Sequence, residues 1–318
     1  METRDTEFRS GSSHFWNPEQ LLRAREYPLT KRRISIALAF FVVGAAIGLY
    51  SVGWALSRPF RADIGSPPAS LDTETVTFSS QSGSLIHGWL SRAPSGRGSV
   101  LLLPGVRASR LSMIRRAEFL REAGYSTLLI DFQATGESPG DAITFGWRER
   151  LDVLAAVEYL KARVPDRPVG IVGVSLGGAA TVLATPLLHV DAAVLEAVYP
   201  SIERAIVNRL DVRFGAFGRL AAPLLLLQFK PRLGVAPADL KPVDHIAELG
   251  CPLLVIAGTA DRYTTVGDTQ RLFGAAREPK ELWLVGGAAH VDLLEFAGAA
   301  YRERILAFFA NAFRQART

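Results

Sequence analysis

The string Gly173-Val174-Ser175-Leu176-Gly177, directly behind the apolar stretch Val169-Gly170-Ile171-Val172, carries the residue types that a nucleophilic serine needs. A hydroxyl presented on a sharp strand-to-helix turn requires small neighbours on both sides, because the chain enters and leaves the turn in contact with itself. The helix that follows aims its first free N–H groups at the reacting oxygen. Gly178 and Ala179 keep that crossing close. Ser175 is therefore the expected nucleophile for attack on a carbonyl carbon, a reaction that also calls for a base and a carboxylate to orient it. Asp261, in Gly258-Thr259-Ala260-Asp261, and His290, in Gly286-Gly287-Ala288-Ala289-His290, supply them in the chain order of a hydrolase elbow, which differs from the trypsin-like and subtilisin-like orders.

Each assignment has rivals. His14, His87, His189 and His245 are the other imidazoles, but only His290 lies in a small-residue loop after the last strand. Glu196, at the end of the strand expected at 192–197, competes with Asp261 for the imidazole. For the oxyanion, two backbone N–H donors are required. Leu176 N–H follows the nucleophile, and the turn Pro104-Gly105-Val106-Arg107 offers the second, from Val106 or alternatively Arg107.

Positioning these groups takes a sheet. Apolar runs predict strands at 75–78, 85–89, 99–103, 126–130, 169–174, 192–197, 253–257 and 281–285. Between them helices are expected at 111–123, 265–276 and 301–313, and Val153, Val157, Leu160 and Val164 recur at helical spacing before Pro165. Alternating strands and helices imply a mostly parallel sheet covered on both faces, whose strands end on one edge, so that residues far apart in sequence converge there. The alternation fails at about 199–246, where arginines are interleaved with Ile202, Ile206, Leu210 and Phe214 and followed by Leu224-Leu225-Leu226-Leu227. This predicts a helical cap inserted over the site; an ordinary packed excursion with a solvated basic face is the alternative.

At the head of the chain, residues 34–57 carry no charge, a length that spans roughly 30 Å of hydrocarbon as a helix. One transmembrane helix is expected there, after a basic arm at 1–33 and before a Pro-containing linker at 58–72, with the catalytic domain at 73–318. Arg4, Arg9, Arg23, Arg25, Lys31, Arg32 and Arg33 precede the span, whereas Arg58 and Arg61 follow it closely. The positive-inside bias then leaves the N-terminus cytoplasmic and the catalytic domain across the membrane, in the periplasm of a bacterium. A cleaved signal peptide is the competing reading, although the leader is long. Gly44 and Gly48 have the spacing of a helix-pairing motif, with a helix that simply contains glycine as the favoured reading. The formal charge of +5 is explained by this arm rather than by nucleic acid. With Cys251 as the one cysteine, neither an intramolecular disulfide nor a zinc cysteine cluster can form, and no dinucleotide or P-loop signature appears, so no metal or cofactor is expected.

From about residue 75 onward these residues resemble the α/β-hydrolase superfamily. The stretch Asp131-Phe132-Gln133-Ala134-Thr135-Gly136-Glu137-Ser138 looks like the Asp-x-Arg-Gly-x-Gly-x-Ser loop of the branch that contains monoacylglycerol lipases and serine aminopeptidase-like hydrolases. Pro104 stands where that branch has a His, and Gln133-Ala134 where it has Arg-Gly. The resemblance implies a cofactor-free esterase, lipase, thioesterase or amidase. A membrane-anchored serine hydrolase acting on carboxylic esters, with a small-molecule ester or lipid as substrate and the bilayer as partner, is the leading expectation. Amide hydrolysis or acyl transfer by the same fold, and a catalytically silent membrane interaction protein, are the alternatives.

Overall fold

The computed structural model describes residues 31–94 and 96–316. The arm at 1–30, including His14, lies outside the described residues. Helix α1, Lys31–Ser57, follows from an uninterrupted apolar run without proline and is long enough to cross a membrane. Through residue 48 it is a unit by itself, with Phe40, Phe41, Val42 and Val43 exposed and, among the described residues, nothing within 4 Å of a Cβ placed on Gly44 or Gly48. Residues 49–57 belong to the compact remainder of the chain.

That remainder is built on an eight-stranded sheet: β2 (Thr73–Ser79), β3 (Leu85–Ser91), β4 (Ser99–Leu103), β5 (Ser126–Ile130), β7 (Val169–Val174), β8 (Ala192–Glu196), β9 (Leu253–Gly258) and β10 (Lys280–Val285). Their order is β10-β9-β8-β7-β4-β5-β3-β2, parallel except where β3 joins β2 and β5. Strand periodicity divides the core in two: Leu101, Leu103, Val169 and Ile171 face one side, and Val100, Leu102 and Val172 the other. On the first side packs α3 (Glu149–Arg163), through Val153, Val157 and Leu160. On the second pack α2 (Ile114–Glu122) and the C-terminal α11 (Ala299–Gln315).

The segment 58–72, expected as a linker, is docked on the sheet domain. Its strand β1 (Phe60–Arg61) pairs with β6 (Thr135–Gly136), Leu71 is fully buried, and Ser91 Oγ donates to Leu71 O at 2.7 Å. Between β8 and β9 run α5 (Ile202–Phe214), α6 (Ala216–Leu226) and α7 (Phe229–Leu233). Ser201 caps α5 by accepting from Arg204 N, and Gly215, at φ +58, lets the chain turn into α6.

Candidate active site

Strand β7 delivers Ser175 to the N-terminus of α4 (Leu176–Leu183) with a backbone at φ +49, ψ −104, a conformation that side-chain-bearing residues rarely adopt. The turn closes only because its neighbours are glycines: a Cβ on Gly173 would lie 2.6 Å from Gly178 N, and one on Gly177 would lie 2.6 Å from Leu103 O. Ser175 N donates to Glu196 O at 2.7 Å, which fastens the strained residue to the next strand.

Beside the elbow, the Pro104 turn approaches so closely that a Cβ on Gly105 would touch the Ser175 side chain at 3.9 Å. Leu176 N is the first helical N–H and has no intrahelical acceptor. Val106 N donates to no group among the described residues. Ala134, Ile143 and Leu176 form a small buried cluster on which Val106 and Phe145 pack. Ala134, which stands where the resembling loop has Gly, adopts φ +62, while its methyl fills this cluster. The rest of that loop is held by Asp131, which accepts from Arg110 N at 2.7 Å and Glu137 N at 3.0 Å. The Arg110 guanidinium joins Asp131 to Glu137 while lying over the Trp89 ring. Gln133 Nε2 donates to Ala142 O and Glu149 Oε1.

The loops after β9 and β10 are knitted together. Ala260 N donates to Ala288 O at 2.9 Å and Gly287 N to Thr259 Oγ1 at 2.8 Å, and any Cβ on Gly258 would strike Ala288 O. Asp261 Oδ1 accepts from Tyr263 N and Thr264 N at 2.8 and 2.9 Å, leaving Oδ2 for His290 Nδ1 at 2.7 Å. The carboxylate is buried and the imidazole mostly so, with the Tyr263 ring edge-on to it at 5.6 Å. An ionised carboxylate can only accept, so Nδ1 carries the proton and Nε2 presents a lone pair. No hydrogen bond joins Ser175 Oγ to His290 among the described residues; the Asp261 carboxylate and the His290 imidazole are brought together, and the hydroxyl stands on its own turn. Catalytic contacts of this kind often tighten only when substrate binds.

Glu196 does not serve the imidazole. Its carboxylate accepts from Arg116 Nε and Nη2 at 3.2 and 2.8 Å and from the Tyr301 hydroxyl. The opposite edge of Arg116 donates to both oxygens of Asp292, at 2.9 and 3.0 Å, two residues after His290. Sequence reasoning missed this buried cluster. The available signal was Arg116 itself, a charge on the buried face of α2 that also carries Ala117 and Leu120. His87 and His245 lie 3.9 and 3.8 Å from glutamates 137 and 248. His189 meets Lys161 Nζ through its carbonyl.

Ser175 opens into a cavity of about 250 Å³. Val106 and Leu176 border it, α5 to α7 contribute Ile202, Leu225 and Phe229, and α1 contributes Gly53, Leu56 and Ser57. Among the described residues no group of His, Cys, Asp and Glu side chains could hold a metal ion.

The sequence family model for the alpha/beta hydrolase family matches residues 100–304. The chain belongs to the alpha/beta hydrolase family. This α/β hydrolase is 28% identical over 255 residues to the protein YfhR of Salmonella typhi, covering 77% of this chain and 84% of that one. It is 30% identical over 231 residues to Rv2307c of Mycobacterium tuberculosis, covering 71% and 74% of the two chains. Among solved structures, the esterase Pf2001 of Pyrococcus furiosus shares the fold with a TM-score of 0.66 and 23% identity, over 81% of this chain and 98% of that one.

Proposed function

We propose that this α/β hydrolase is a membrane-anchored serine hydrolase that cleaves carboxylic esters of apolar acyl groups through an acyl-enzyme. The observation that carries the reading is the Asp261–His290 pair at 2.7 Å, on the same sheet edge as a strained, glycine-flanked Ser175 that opens into an apolar cavity. In this reading His290 Nε2 removes the Ser175 proton as Oγ attacks the carbonyl carbon, and Asp261 stabilises the imidazolium that results. The negative charge that develops on the carbonyl oxygen falls between the N–H groups of Val106 and Leu176. Imidazolium then protonates the departing alcohol, and a water activated by the same ring releases the acid and restores Ser175.

Helices α5 to α7 act as a cap, since their apolar side chains complete the cavity over the elbow. Residues 34–57 act as the anchor, and the basic arm before them supports a cytoplasmic N-terminus with the hydrolase on the other side. Acyl transfer of this kind is tested directly by a fluorophosphonate probe on isolated membranes. The wild-type chain is labelled and Ser175→Ala is not; equal labelling of the two removes Ser175 as the nucleophile.

A further inference from the structure

Three arginines, 107, 209 and 232, border the apolar cavity, and none of them forms an ion pair with a carboxylate among the described residues. The contrast with the interior is direct: Arg110 and Arg116 each hold two carboxylates. Among the described residues the hydrogen-bond acceptors of the cavity arginines are neutral. Arg107 donates to Ala55 O at 3.0 Å, Arg209 to Ala205 O at 3.2 Å, and Arg232 to Ser57 Oγ at 3.0 Å and Gln228 Oε1 at 3.2 Å. Each also lies against a ring, of Phe60, Tyr263 and Tyr50 respectively.

Arg209 is the most telling. Its guanidinium is 5.3 Å from the Tyr263 ring, whose edge meets the His290 imidazole, so a positive charge stands one ring away from the base. Burial holds its affinity for the proton below the ordinary arginine value, yet a guanidinium stays charged in a protein and gains most from a planar anion. Asp261, the acid whose charge it senses, is already committed to His290 and two backbone N–H groups.

The walls between these charges are apolar, from Leu56, Ile202, Ile206, Leu225, Phe229 and Leu233. A volume of about 250 Å³ is small beside ligand pockets of roughly 300–1,000 Å³, and suits a single chain. One wall is the end of the anchor: Gly53, Leu56 and Ser57 line the cavity, and Gln228 Nε2 and Arg232 fasten the cap to Leu49 O and Tyr50 O.

We infer that the site accepts an anionic single-chain amphiphile, an acyl ester whose chain fills the apolar cavity and whose phosphate or carboxylate is bound by Arg209 with Arg107 and Arg232. The inference rests on the serine hydrolase reading and goes beyond it by assigning the charge of the substrate.

The experiment compares kcat/KM of the full-length protein in neutral detergent for 1-decanoylglycerol 3-phosphate, 3-decanoyloxypropanoate and uncharged 1-decanoylglycerol. At least one anionic ester is preferred by about tenfold or more, the effect of one charge-assisted hydrogen bond, and the preferred arm tells phosphate from carboxylate. Arg209→Gln and Arg232→Gln lower the ratio of anionic to neutral turnover, Arg209→Lys restores part of it, and added salt erodes it in the wild type. The wild-type preference and its salt dependence need no variant to fold. Fluorophosphonate labelling of the same preparation separates the two claims. A labelled enzyme that cleaves the neutral ester as well as the anionic ones, or none of the three, overturns the inference and leaves the hydrolase; an unlabelled enzyme overturns both.

Discussion

Arg116 grips Glu196 with two nitrogens and turns its other edge to Asp292, so that the carboxylate at the end of β8 is tied to the loop that carries His290. A buried ion pair is costly to break from one side, because the surviving charge is left without a partner or water. Arg116→Met is therefore expected to lower stability by about 3–5 kcal/mol, read as a drop in melting temperature. Adding Glu196→Gln to that variant recovers much of the loss. A double variant no more stable than the single one would show that the network acts by other means than charge pairing.

The same geometry assigns different kinetic consequences to the two acids that compete in the sequence. Asp261→Asn is expected to lower kcat by about 10⁴, since an amide at that position no longer fixes the tautomer that leaves Nε2 free. Glu196→Gln lowers it by less than about tenfold, because its partners are Arg116 and Tyr301 rather than the imidazole. Steady-state kinetics on one soluble ester decide between them, and an inverted ranking would move the orienting role to Glu196.

The two N–H groups proposed to hold the oxyanion can be separated by proline. Val106→Pro removes one N–H and is expected to cost about 10²–10³ in kcat with little change in KM. Full activity in that variant would pass the role to Arg107, whose own backbone, at φ +55, cannot accept proline.

What could be read in advance follows from how locally each feature is encoded. Strands and helices announce themselves by period, and the elbow by glycines flanking one serine, so β7, Ser175 and α4 stand where the pattern put them. The meeting of Asp261 and His290 was legible because parallel strands end on one edge. The sequence favoured Asp261 over Glu196, but what occupies Glu196 could not be read, since it is Arg116, which lies 80 residues away in sequence. Nor was the pairing of Phe60–Arg61 with Thr135–Gly136, two residues on each side and too short to show a period. In the sequence Arg107 belongs to the Pro104 turn and Arg209 and Arg232 to the arginine-rich run at 199–246, and only the fold reveals that the three border one cavity.

Asp152 provides a test in pH. Buried beside Glu149 in α3, with Ser80 Oγ and Gln133 N donating to it, its carboxyl is pushed by burial up to about 7. An unfolded aspartate titrates near 3.9, so between about pH 4 and 7 the native chain retains a proton that the unfolded chain has released. The contribution of this group is full below about pH 4 and is lost as pH rises through 7, on the order of 4 kcal/mol in all. Asn at this position has no proton to lose. The stability of Asp152→Asn relative to wild type is thus expected to improve steadily from pH 4 to 8 in thermal melts, and a difference that does not vary with pH would exclude the linkage.

The cap helix α6 carries a different kind of signal. Phe217, Leu220, Leu224 and Leu227, spaced by three, four and three residues, fall on one face and are 82, 76, 53 and 72% exposed. Arg213, Arg219 and Lys230 flank them. A contiguous apolar face bordered by cations suits the interfacial region of an anionic bilayer, where aliphatic and aromatic groups leave water while arginine and lysine stay among the head groups. None of the four side chains lines the cavity, so their contribution is separable from catalysis. Phe217→Ser combined with Leu224→Ser is expected to slow hydrolysis of an ester dispersed in anionic vesicles by about tenfold, an order set by the apolar area withdrawn from the interface. Hydrolysis of a water-soluble short-chain ester by the same variant stays near the wild-type rate. Equal effects on both substrates would mean that these residues support the cap's own packing, and no effect on either would leave the face without a role at the membrane.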